Sequence, residues 1–283
     1  MSLTMLTIAG TEVQAVSVGG IETCIELPGW QLCFDIGRCP PSAVRRPRIL
    51  LTHAHMDHAG GLATHASMRD LLGMSPPTWF VPRENAADIE ALLATWRRLD
   101  RSTIPCNVVP VGIGERFDLG RDRFAIPFRS PHRVACQGYA LHQMRRRLRA
   151  DLTGAPQDEI RRRRMAGEEV SEAVESVEVA FCGDTLIEVV DREPLVRTAK
   201  LLILEVTFLD DRVPVAAARA KGHVHLDEVI ARADLFENEA ILFTHFSARY
   251  GSAEIRDILA RKLPPALRDR VTPLLPTPCT PAP

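Results

Sequence analysis

The chain has 283 residues, enough for one large domain or two small ones, and a globule of this size buries about three-quarters of its unfolded surface. Apolar residues make up 46% and charged residues 25%, and a net charge of −1 means that any affinity for nucleic acid must come from a local patch. Seven cysteines without a CxxC spacing, no signal sequence and no apolar run of about 18 residues predict a cytoplasmic protein that enters no membrane.

The first part of the chain reads as short strands joined by turns, with two helices. The pairs Gly19-Gly20 and Pro28-Gly29 mark turns. Helices are predicted over residues 62–72 and 85–99, the second because its apolar residues recur at helical spacing. Those apolar residues are Ile89, Leu92, Leu93 and Trp96. The strands are predicted at residues 14–18, 23–27, 31–36, 49–52, 79–81, 106–111, 117–119 and 124–128.

The second part repeats the alternation of strands and helices. Strands are predicted at residues 138–141, 177–182, 201–206 and 241–243, and helices at residues 225–236 and 253–263. Because strands are followed by helices in both parts, the sequence predicts an α/β fold, a four-layer αβ/βα sandwich spanning residues 1–275. The proline-rich residues 276–283 are predicted to form a flexible tail.

A cluster of histidines follows the apolar strand predicted at residues 49–52. It reads His53-Ala54-His55-Met56-Asp57-His58. Residues i and i+2 of a strand point the same way, so His53 and His55 at its end would converge on one ion, with Asp57 and His58 turned towards a second point. A lone histidine is more often an ordinary core or surface residue, but burying all four without a metal would leave polar groups unpaired. The cluster therefore predicts a metal site, with zinc favoured.

Three further candidate ligands, His132, Asp184 and His245, each follow a predicted strand. Singly, each is equally well explained as a turn or capping residue. With the histidine cluster they complete two groups of ligands, and two neighbouring ions can hold a hydroxide and clamp a phosphate. The predicted groups are His53, His55 and His132 on one ion, Asp57, His58 and His245 on the other, and Asp184 bridging them.

Residues 145–164 carry an unusual concentration of positive charge. Eight arginines and three acidic residues give this segment a net charge of +5. The arginines are Arg145, Arg146, Arg147, Arg149, Arg161, Arg162, Arg163 and Arg164. Pro156 suits the first turn of a helix and Gly167 its end. On charge alone the segment is best explained as a solvated excursion, and the alternative is a basic arm that grips phosphates.

Several stretches resemble the ribonuclease Z family, which has the metallo-β-lactamase fold, and most closely its short, plant-type branch. The resemblance runs from about residue 10 to about residue 275 and includes the histidine cluster, His132 and Gly183-Asp184-Thr185. The other matching stretches are Gly-Gly-Ile-Glu-Thr-Cys at 19–24, Phe-Asp-Ile-Gly-Arg-Cys-Pro at 34–40, Gln-Gly-Tyr at 137–139, Gly-His-Val-His-Leu at 222–226 and His-Phe-Ser-Ala-Arg-Tyr at 245–250.

The resemblance implies roles for particular residues. It implies two Zn²⁺ ions per chain, with Mn²⁺ or another divalent ion as the alternative, held by the seven ligands named above. Asp57 would act on the attacking water, and Glu205 and His223 match the family's characteristic Glu and its additional catalytic His. Residues 145–170, with Gly154 and Pro156, match an inserted tRNA-binding arm. Family members are commonly homodimers in which the arm of one subunit serves the active site of the other.

The function implied is endonucleolytic removal of the 3′ trailer from precursor tRNA, leaving a 3′-hydroxyl on the tRNA and a 5′-phosphate on the trailer. The alternatives are a small-molecule metallo-hydrolase or general phosphodiesterase of the same fold, and a tRNA-binding subunit with an inactive site. The chain departs from the family in its short arm, which carries arginine where lysine is common, and in Cys136, where serine is commoner.

Overall fold

The computed structural model describes residues 3–276, so the tail predicted at residues 276–283 lies outside the described residues except for Pro276. Fourteen strands lie within this range. They are β1 Thr4–Ile8, β2 Thr11–Val18, β3 Glu22–Leu27, β4 Leu32–Phe34, β5 Arg48–Leu50, β6 Thr78–Pro82, β7 Asn107–Val111, β8 Phe117–Gly120, β9 Arg123–Arg129, β10 Gln137–Leu148, β11 Ser171–Phe181, β12 Leu201–Glu205, β13 Ala240–Thr244 and β14 Val271–Pro273.

Ten α-helices connect or flank these strands within residues 3–276. They are α1 Met56–Ala59, α2 Leu62–Leu71, α3 Ala86–Asp100, α4 Gln157–Met165, α5 Glu188–Arg192, α6 Pro194–Thr198, α7 Val215–Ala220, α8 Leu226–Ile230, α9 Ser252–Lys262 and α10 Pro265–Arg268. No helix in this part of the chain combines the length and the apolar character needed to cross a bilayer.

The strands form two seven-stranded sheets, one from each half of the chain. The first sheet has the order β1-β2-β3-β4-β5-β6-β7 and the second the order β14-β13-β12-β11-β10-β9-β8. In both sheets the strands joined by helical connections pair in parallel, as β4 to β7 do in the first sheet and β11 to β14 in the second, whereas the hairpin-connected strands are antiparallel. The carboxyl ends of parallel strands carry the loops with the predicted ligands, except that His132 follows the antiparallel strand β9.

Three apolar layers fill the sandwich, and the parallel strands contribute to two of them at once. In β12, Leu201 and Ile203 face the layer between the sheets, while Leu202 and Leu204 pack against the helices outside. A strand covered on both faces needs apolar residues at every position, which explains the continuous Leu-Leu-Ile-Leu run. Between the sheets, the ring centroids of Phe34 and Phe181 are 4.9 Å apart. The predicted four-layer αβ/βα sandwich is confirmed.

Two predicted helices differ from the structure. Of the four apolar residues in α3, Ile89 and Leu93 are buried, whereas Leu92 and Trp96 are 57% and 47% exposed, so the helix buries a narrower face than its periodicity suggests. The helix predicted at residues 225–236 is wrong in its length. It divides into α8 and a 3₁₀ turn at Ala233–Leu235, joined by non-helical Arg232.

Candidate metal centre

Loops at one end of both sheets bring the predicted ligands together. His53 and His55 follow β5, His132 follows β9, Asp184 follows β11 and His245 directly follows β13. β5 ends at Leu50, two residues before the end of the strand predicted at residues 49–52, so His53 and His55 belong to the extended loop that leads into α1. The loop nevertheless turns both imidazoles inwards, with ring centroids 4.6 Å apart.

The first group of candidate ligands comprises His53, His55, His132 and Asp184. One ligand atom from each lies within 4.8 Å of every other, close enough for a single ion. His132 contributes from a different sheet, and its ring centroid is 5.2 Å from that of His53 and 5.1 Å from that of His55. The structure thus assembles the trio that the sequence assigns to one ion, together with the proposed bridging carboxylate.

The second group comprises Asp57, His58 and His245, whose ligand atoms also lie within 4.8 Å of one another. The Nε2 atoms of His58 and His245 are 3.4 Å apart, and Asp57 Oδ2 is 3.4 Å from His245 Nε2. Asp184 lies between the two groups. Its Oδ2 is 3.7 Å from His53 Nε2, and its Oδ1 is 3.3 Å from His58 Nε2. Each carboxylate oxygen therefore faces a different group, the placement required of a bridge.

In three of the candidate imidazoles one ring nitrogen is engaged by the protein, which leaves the other nitrogen free for an ion. His132 Nδ1 donates to the carbonyl of Gly222 at 2.8 Å, and His58 Nδ1 donates to Asp35 Oδ2 at 2.7 Å. His245 Nδ1 is 2.9 Å from Thr207 Oγ1. Histidines that bind metals are held in this way, with one nitrogen anchored and the other turned to the ion.

The buried atoms at the centre fit a divalent cation. Nε2 of His53 and Nε2 of His132 are buried and have no hydrogen-bond partner within the described residues, which is costly unless a ligand satisfies them. Imidazole nitrogens combined with carboxylate oxygens are a donor set typical of zinc and related ions. The fold and this His/Asp cluster indicate a divalent-metal site.

Burial and local charge bring three of the candidate ligands, His53, His132 and Asp184, into the protonation states that metals require. Burial holds the pKa of His53 well below its ordinary value and also lowers the pKa of His132, so both imidazoles are neutral at pH 7. Burial disfavours the charged form of Asp184, but His245 and His58 outweigh it and keep the pKa of that carboxyl well below its usual range. The centre therefore presents two neutral imidazoles and an ionised carboxylate. Burial disfavours a charged His58 as well, but Asp184 and Asp35 outweigh it and raise the pKa of that imidazole well above its ordinary value.

Glu205 and His223 form a pair beside the centre. Glu205, the last residue of β12, is 1% exposed, and its Oε1 is 3.0 Å from His223 Nδ1. His223 Nδ1 is also 3.9 Å from Asp184 Oδ2. Burial opposes a charged imidazole, but the Glu205 carboxylate raises the pKa of His223 to about 9. The pair expected from the sequence is therefore present, with His223 protonated at neutral pH.

Several residues that support the centre were not assigned a role from the sequence. Asp35, fully buried, accepts from the Thr52 amide at 2.7 Å as well as from His58. The amide of Gly20 donates to Asp57 Oδ2 at 2.9 Å and orients that carboxylate. The sequence carries a signal for Asp35, because an acidic residue at the end of an apolar strand needs a partner when it is buried.

Glycines allow the loops to approach the ligands closely. Gly222 has φ +83°, and a Cβ there would lie 2.7 Å from His132 Nδ1. At Gly19, a Cβ would lie 2.9 Å from the carbonyl oxygen of His245. Both positions exclude any side chain, so the Gly-Gly and Gly-His stretches noted in the sequence pack directly against metal-ligand candidates.

The basic segment is a two-stranded ribbon with a helix at its tip. Strands β10 and β11 pair antiparallel out to Leu148 and Ser171, and α4 follows Gly154, which has φ +86°, and Pro156. Four arginines form ion pairs, namely Arg145 with Glu178, Arg146 with Glu169, Arg149 with Asp151 and Arg163 with Glu159. Within residues 3–276 the other four, Arg147, Arg161, Arg162 and Arg164, are exposed and unpaired.

Comparisons with known proteins show which family the chain resembles in sequence. The β-lactamase superfamily domain matches residues 37–246. The chain is 40% identical over 266 residues to tRNase Z TRZ1 of Arabidopsis thaliana, covering 93% of this chain and 95% of that protein. It is 35% identical over 264 residues to the chloroplastic tRNase Z TRZ2 of the same plant, covering 93% and 74%.

Solved structures share the fold at lower identity. The short form of human tRNase Z superposes with a TM-score of 0.55 and 18% identity, covering 98% of this chain and 97% of that chain. The metallo-β-lactamase fold protein YhfI from Bacillus subtilis gives a TM-score of 0.59 and 15% identity, covering 92% and 94%. These likenesses bear on the fold alone. From the matched superfamily domain and the identity to plant tRNase Z over nearly the whole length of both proteins, this chain belongs to the tRNase Z family of the β-lactamase superfamily.

Proposed function

We propose that the chain is a metal-dependent endoribonuclease that removes the 3′ trailer of precursor tRNA, leaving a tRNA 3′-hydroxyl and a trailer 5′-phosphate. The curated relatives that match most of its length are named tRNase Z. The observation that carries the proposal is the placement of His223. A protonated imidazole, held by Glu205, lies next to two groups of metal-ligand candidates that share one carboxylate.

The candidate ligands would hold two divalent ions, and we propose zinc. The groups are His53, His55 and His132 for one ion, Asp57, His58 and His245 for the other, and Asp184 for both. Ions held by these residues would supply Lewis-acid stabilisation of the charge that develops on the phosphate and would activate water. The chain's own residues orient the reactants and move the protons.

Asp57 accepts a proton from the attacking water and orients it towards the phosphorus. The amide of Gly20 fixes Asp57 Oδ2, and His58 and His245 keep the pKa of this carboxyl low despite its burial, so it remains available as a base. As the bond from phosphorus to the water oxygen forms, the bond from phosphorus to the 3′ oxygen of the tRNA breaks.

His223 donates the proton that the leaving 3′ oxygen needs. Its Nδ1–H is directed at Glu205, which leaves Nε2–H as the acid. Glu205 is itself fixed by the amides of Thr185 and Val224, at 3.1 and 3.2 Å from Oε1. A general acid positioned in this way contributes about 10²–10⁴-fold to the rate.

The arm formed by residues 145–170 would hold the tRNA away from the cut. Its unpaired arginines, Arg147, Arg161, Arg162 and Arg164, carry full charges towards solvent and are the ones available to phosphates, whereas the ion-paired arginines of the arm are engaged by its own carboxylates. The rest of residues 1–275 would form the catalytic domain.

The chain is proposed to act as a cytoplasmic homodimer. Leu92, Trp96 and Leu99 are spaced four and three residues apart on α3 and are 47–69% exposed, an apolar stripe that supports pairing with a second copy. The six cysteines among residues 3–276 are free thiols, which supports a reducing compartment.

The test is cleavage of a precursor tRNA by the purified chain, with both product ends mapped. Two arm variants of equal charge sharpen it. Arg147, Arg161, Arg162 and Arg164 are changed to Gln in one, and Arg145, Arg146, Arg149 and Arg163 in the other. We expect the first variant to raise KM about 10-fold or more. It should also make the slope of log affinity against log salt concentration shallower, by about one for each phosphate contact that is lost. The second variant should change both quantities less.

A small-molecule hydrolase would behave differently in the same experiment. Its turnover would not fall steeply with salt, and neither arm variant would change KM. Absence of any trailer cleavage under conditions in which bis(p-nitrophenyl) phosphate is hydrolysed would contradict the proposed function and favour a general phosphodiesterase.

A further inference from the structure

A cavity opens directly beside His132, on the side of the centre formed by the β9–β10 connection. Its volume is about 390 Å³, within the range of small-ligand sites. Pro82, Ile113, Pro131 and Val134 provide its apolar surface, the polar side chains of Glu84, Arg129, Ser130 and Gln137 also line it, and His132 is the candidate metal ligand among its lining residues. None of the catalytic steps described above uses this space.

Two of the apolar wall residues are unusually accessible. Ile113 is 55% and Val134 41% exposed, although the chain has a large interior in which such side chains could be buried. They come from different parts of the chain, one from the loop after β7 and the other from the loop after β9. Two exposed apolar side chains from separate loops that line one cavity beside the candidate centre are suited to contact a flat ring.

A free positive charge lies at the same cavity. Arg129, the last residue of β9, lines it, is exposed, and forms neither an ion pair nor a side-chain hydrogen bond within residues 3–276. An unpaired guanidinium next to apolar walls matches a nucleotide, whose phosphate is anionic and whose base is flat and largely apolar. A free anion without a ring would leave the apolar walls in water.

We infer that this cavity holds the nucleobase adjoining the scissile phosphate, with Arg129 on the neighbouring phosphate and Ile113 and Val134 against the base. The inference rests on the proposed function, because the base belongs to the precursor tRNA. Two bases flank the cut, the last one of the mature tRNA and the first one of the trailer. Both share the required chemistry, and the experiment distinguishes them.

The experiment is a cycle between enzyme and substrate variants, with kcat/KM measured by single-turnover cleavage of precursor tRNA. The enzymes are the wild type, the double variant Ile113→Ala/Val134→Ala, Arg129→Gln, and the control Arg98→Gln. The control removes another exposed arginine, one on α3 that is unpaired within residues 3–276. The substrates are the intact precursor, one abasic at the last tRNA nucleotide, and one abasic at the first trailer nucleotide. Thermal midpoints and bound metal are measured for every enzyme.

On the intact precursor we expect the double variant to lose about 10-fold in kcat/KM and the control to lose nothing. On the substrate that lacks the bound base the double variant should lose nothing further, because the contact is already absent. At one abasic position the loss of kcat/KM caused by the double variant and the loss caused by the missing base should not multiply, and that position identifies the bound base. Arg129→Gln should lose activity on all three substrates, since it contacts a phosphate.

The inference would be overturned, with the proposed function intact, if the losses of kcat/KM from the double variant and from the abasic substitution multiplied at both positions. It would also be overturned if the double variant cleaved the intact precursor like the wild type. A wild-type chain that does not cleave precursor tRNA would overturn the proposed function, and the inference with it.

Discussion

Glu205 and His223 are joined by a contact of 3.0 Å between Oε1 and Nδ1, and the carboxylate is held by three backbone amides and a hydroxyl besides. Those additional bonds come from Thr185, Val224 and Thr207, so the loops after β11 and β12 and the loop before α8 converge on one side chain. Glu205 therefore fixes both the orientation and the charge of His223. A carboxylate with this many partners is placed by the fold and does not adjust to substrate.

If Glu205 and His223 act as one unit, the losses of activation free energy caused by substituting each of them will not add in the double variant. We expect Glu205→Gln and His223→Ala each to lower the rate of precursor-tRNA cleavage by about 10²–10⁴-fold, and the double variant to be no slower than the slower single one. Bound metal should stay at the wild-type level in all three, because His223, although its ligand atom lies within 4.8 Å of those of Asp184 and His245, contacts Glu205 and belongs to neither of the two predicted ligand groups. Multiplying losses, or losses that follow the metal content, would show independent or structural roles.

Asp35 should govern metal affinity without touching the metal. It anchors His58 through a contact of 2.7 Å, so Asp35→Asn should weaken metal binding about 10–100-fold. Glu175→Gln is the matched control, since Glu175 holds His142 at the same distance of 2.7 Å but outside the candidate centre. Competition with a chromophoric chelator measures both. Equal affinities for the two variants would remove Asp35 from the site.

The two ligand groups predict the metal content of single variants. We expect about two zinc ions per wild-type chain and about one in His245→Ala, whose loss affects one group. The Asp184 carboxylate faces both groups, so the variant Asp184→Ala should retain the least metal. The measurement is elemental analysis after gel filtration, with thermal midpoints recorded alongside. An ion present at 100 times its Kd stabilises the fold by about 2.7 kcal/mol, so a chelator should lower the wild-type midpoint. Identical metal content in all three proteins would refute the assignment.

His65 should make the fold sensitive to acid independently of the metal centre. It accepts from Trp79 Nε1 and donates to the carbonyl of Arg46, and burial together with the nearby Arg69 lowers its pKa to about 4. Between about pH 4 and pH 6.5, His65 is therefore protonated in the unfolded chain but neutral in the folded chain. Its stabilising effect is present above pH 6.5 and is lost as the pH falls towards 4, by about 3 kcal/mol in total.

The measurement for His65 is the free energy of unfolding in urea, with chelator present, for the wild type and His65→Gln. The difference between the two proteins should be constant above about pH 7 and should change by at most about 1.4 kcal/mol per pH unit below pH 6.5, with the wild type losing more. Parallel curves over the whole range would show that His65 is not the titrating group.

The exposed stripe on α3 predicts the oligomeric state of variants. Trp96→Glu places a charge in the centre of the stripe and should raise the dimer Kd by at least about 30-fold, since a buried tryptophan contributes about 2 kcal/mol or more to an interface. Leu235→Glu changes a residue of similar exposure, 41%, that lies in the second half of the chain, and should leave the dimer intact. Sedimentation at several concentrations decides, and a wild-type monomer would contradict the homodimer.

The sequence by itself determined the elements and the chemistry. Alternation of apolar residues marks most strands, and His53, His55 and His58 within six residues predict a metal because burying them unpaired is unfavourable. Local spacing also indicated a helix between Pro156 and Gly167, where α4 lies. These inferences depend on contacts within a few residues, which the order of amino acids specifies directly.

Tertiary structure decided which distant residues meet. Asp184 lies between His53 and His58 only because β11 and β5 end at the same edge of two facing sheets, and the partner of each anchored nitrogen, such as Gly222 for His132, is equally remote in the chain. Local periodicity also could not show that Leu92 and Trp96 stay exposed, since burial depends on what packs against a helix. The side chains that can react are written in the sequence, but their distances from one another follow from the packing of the two sheets.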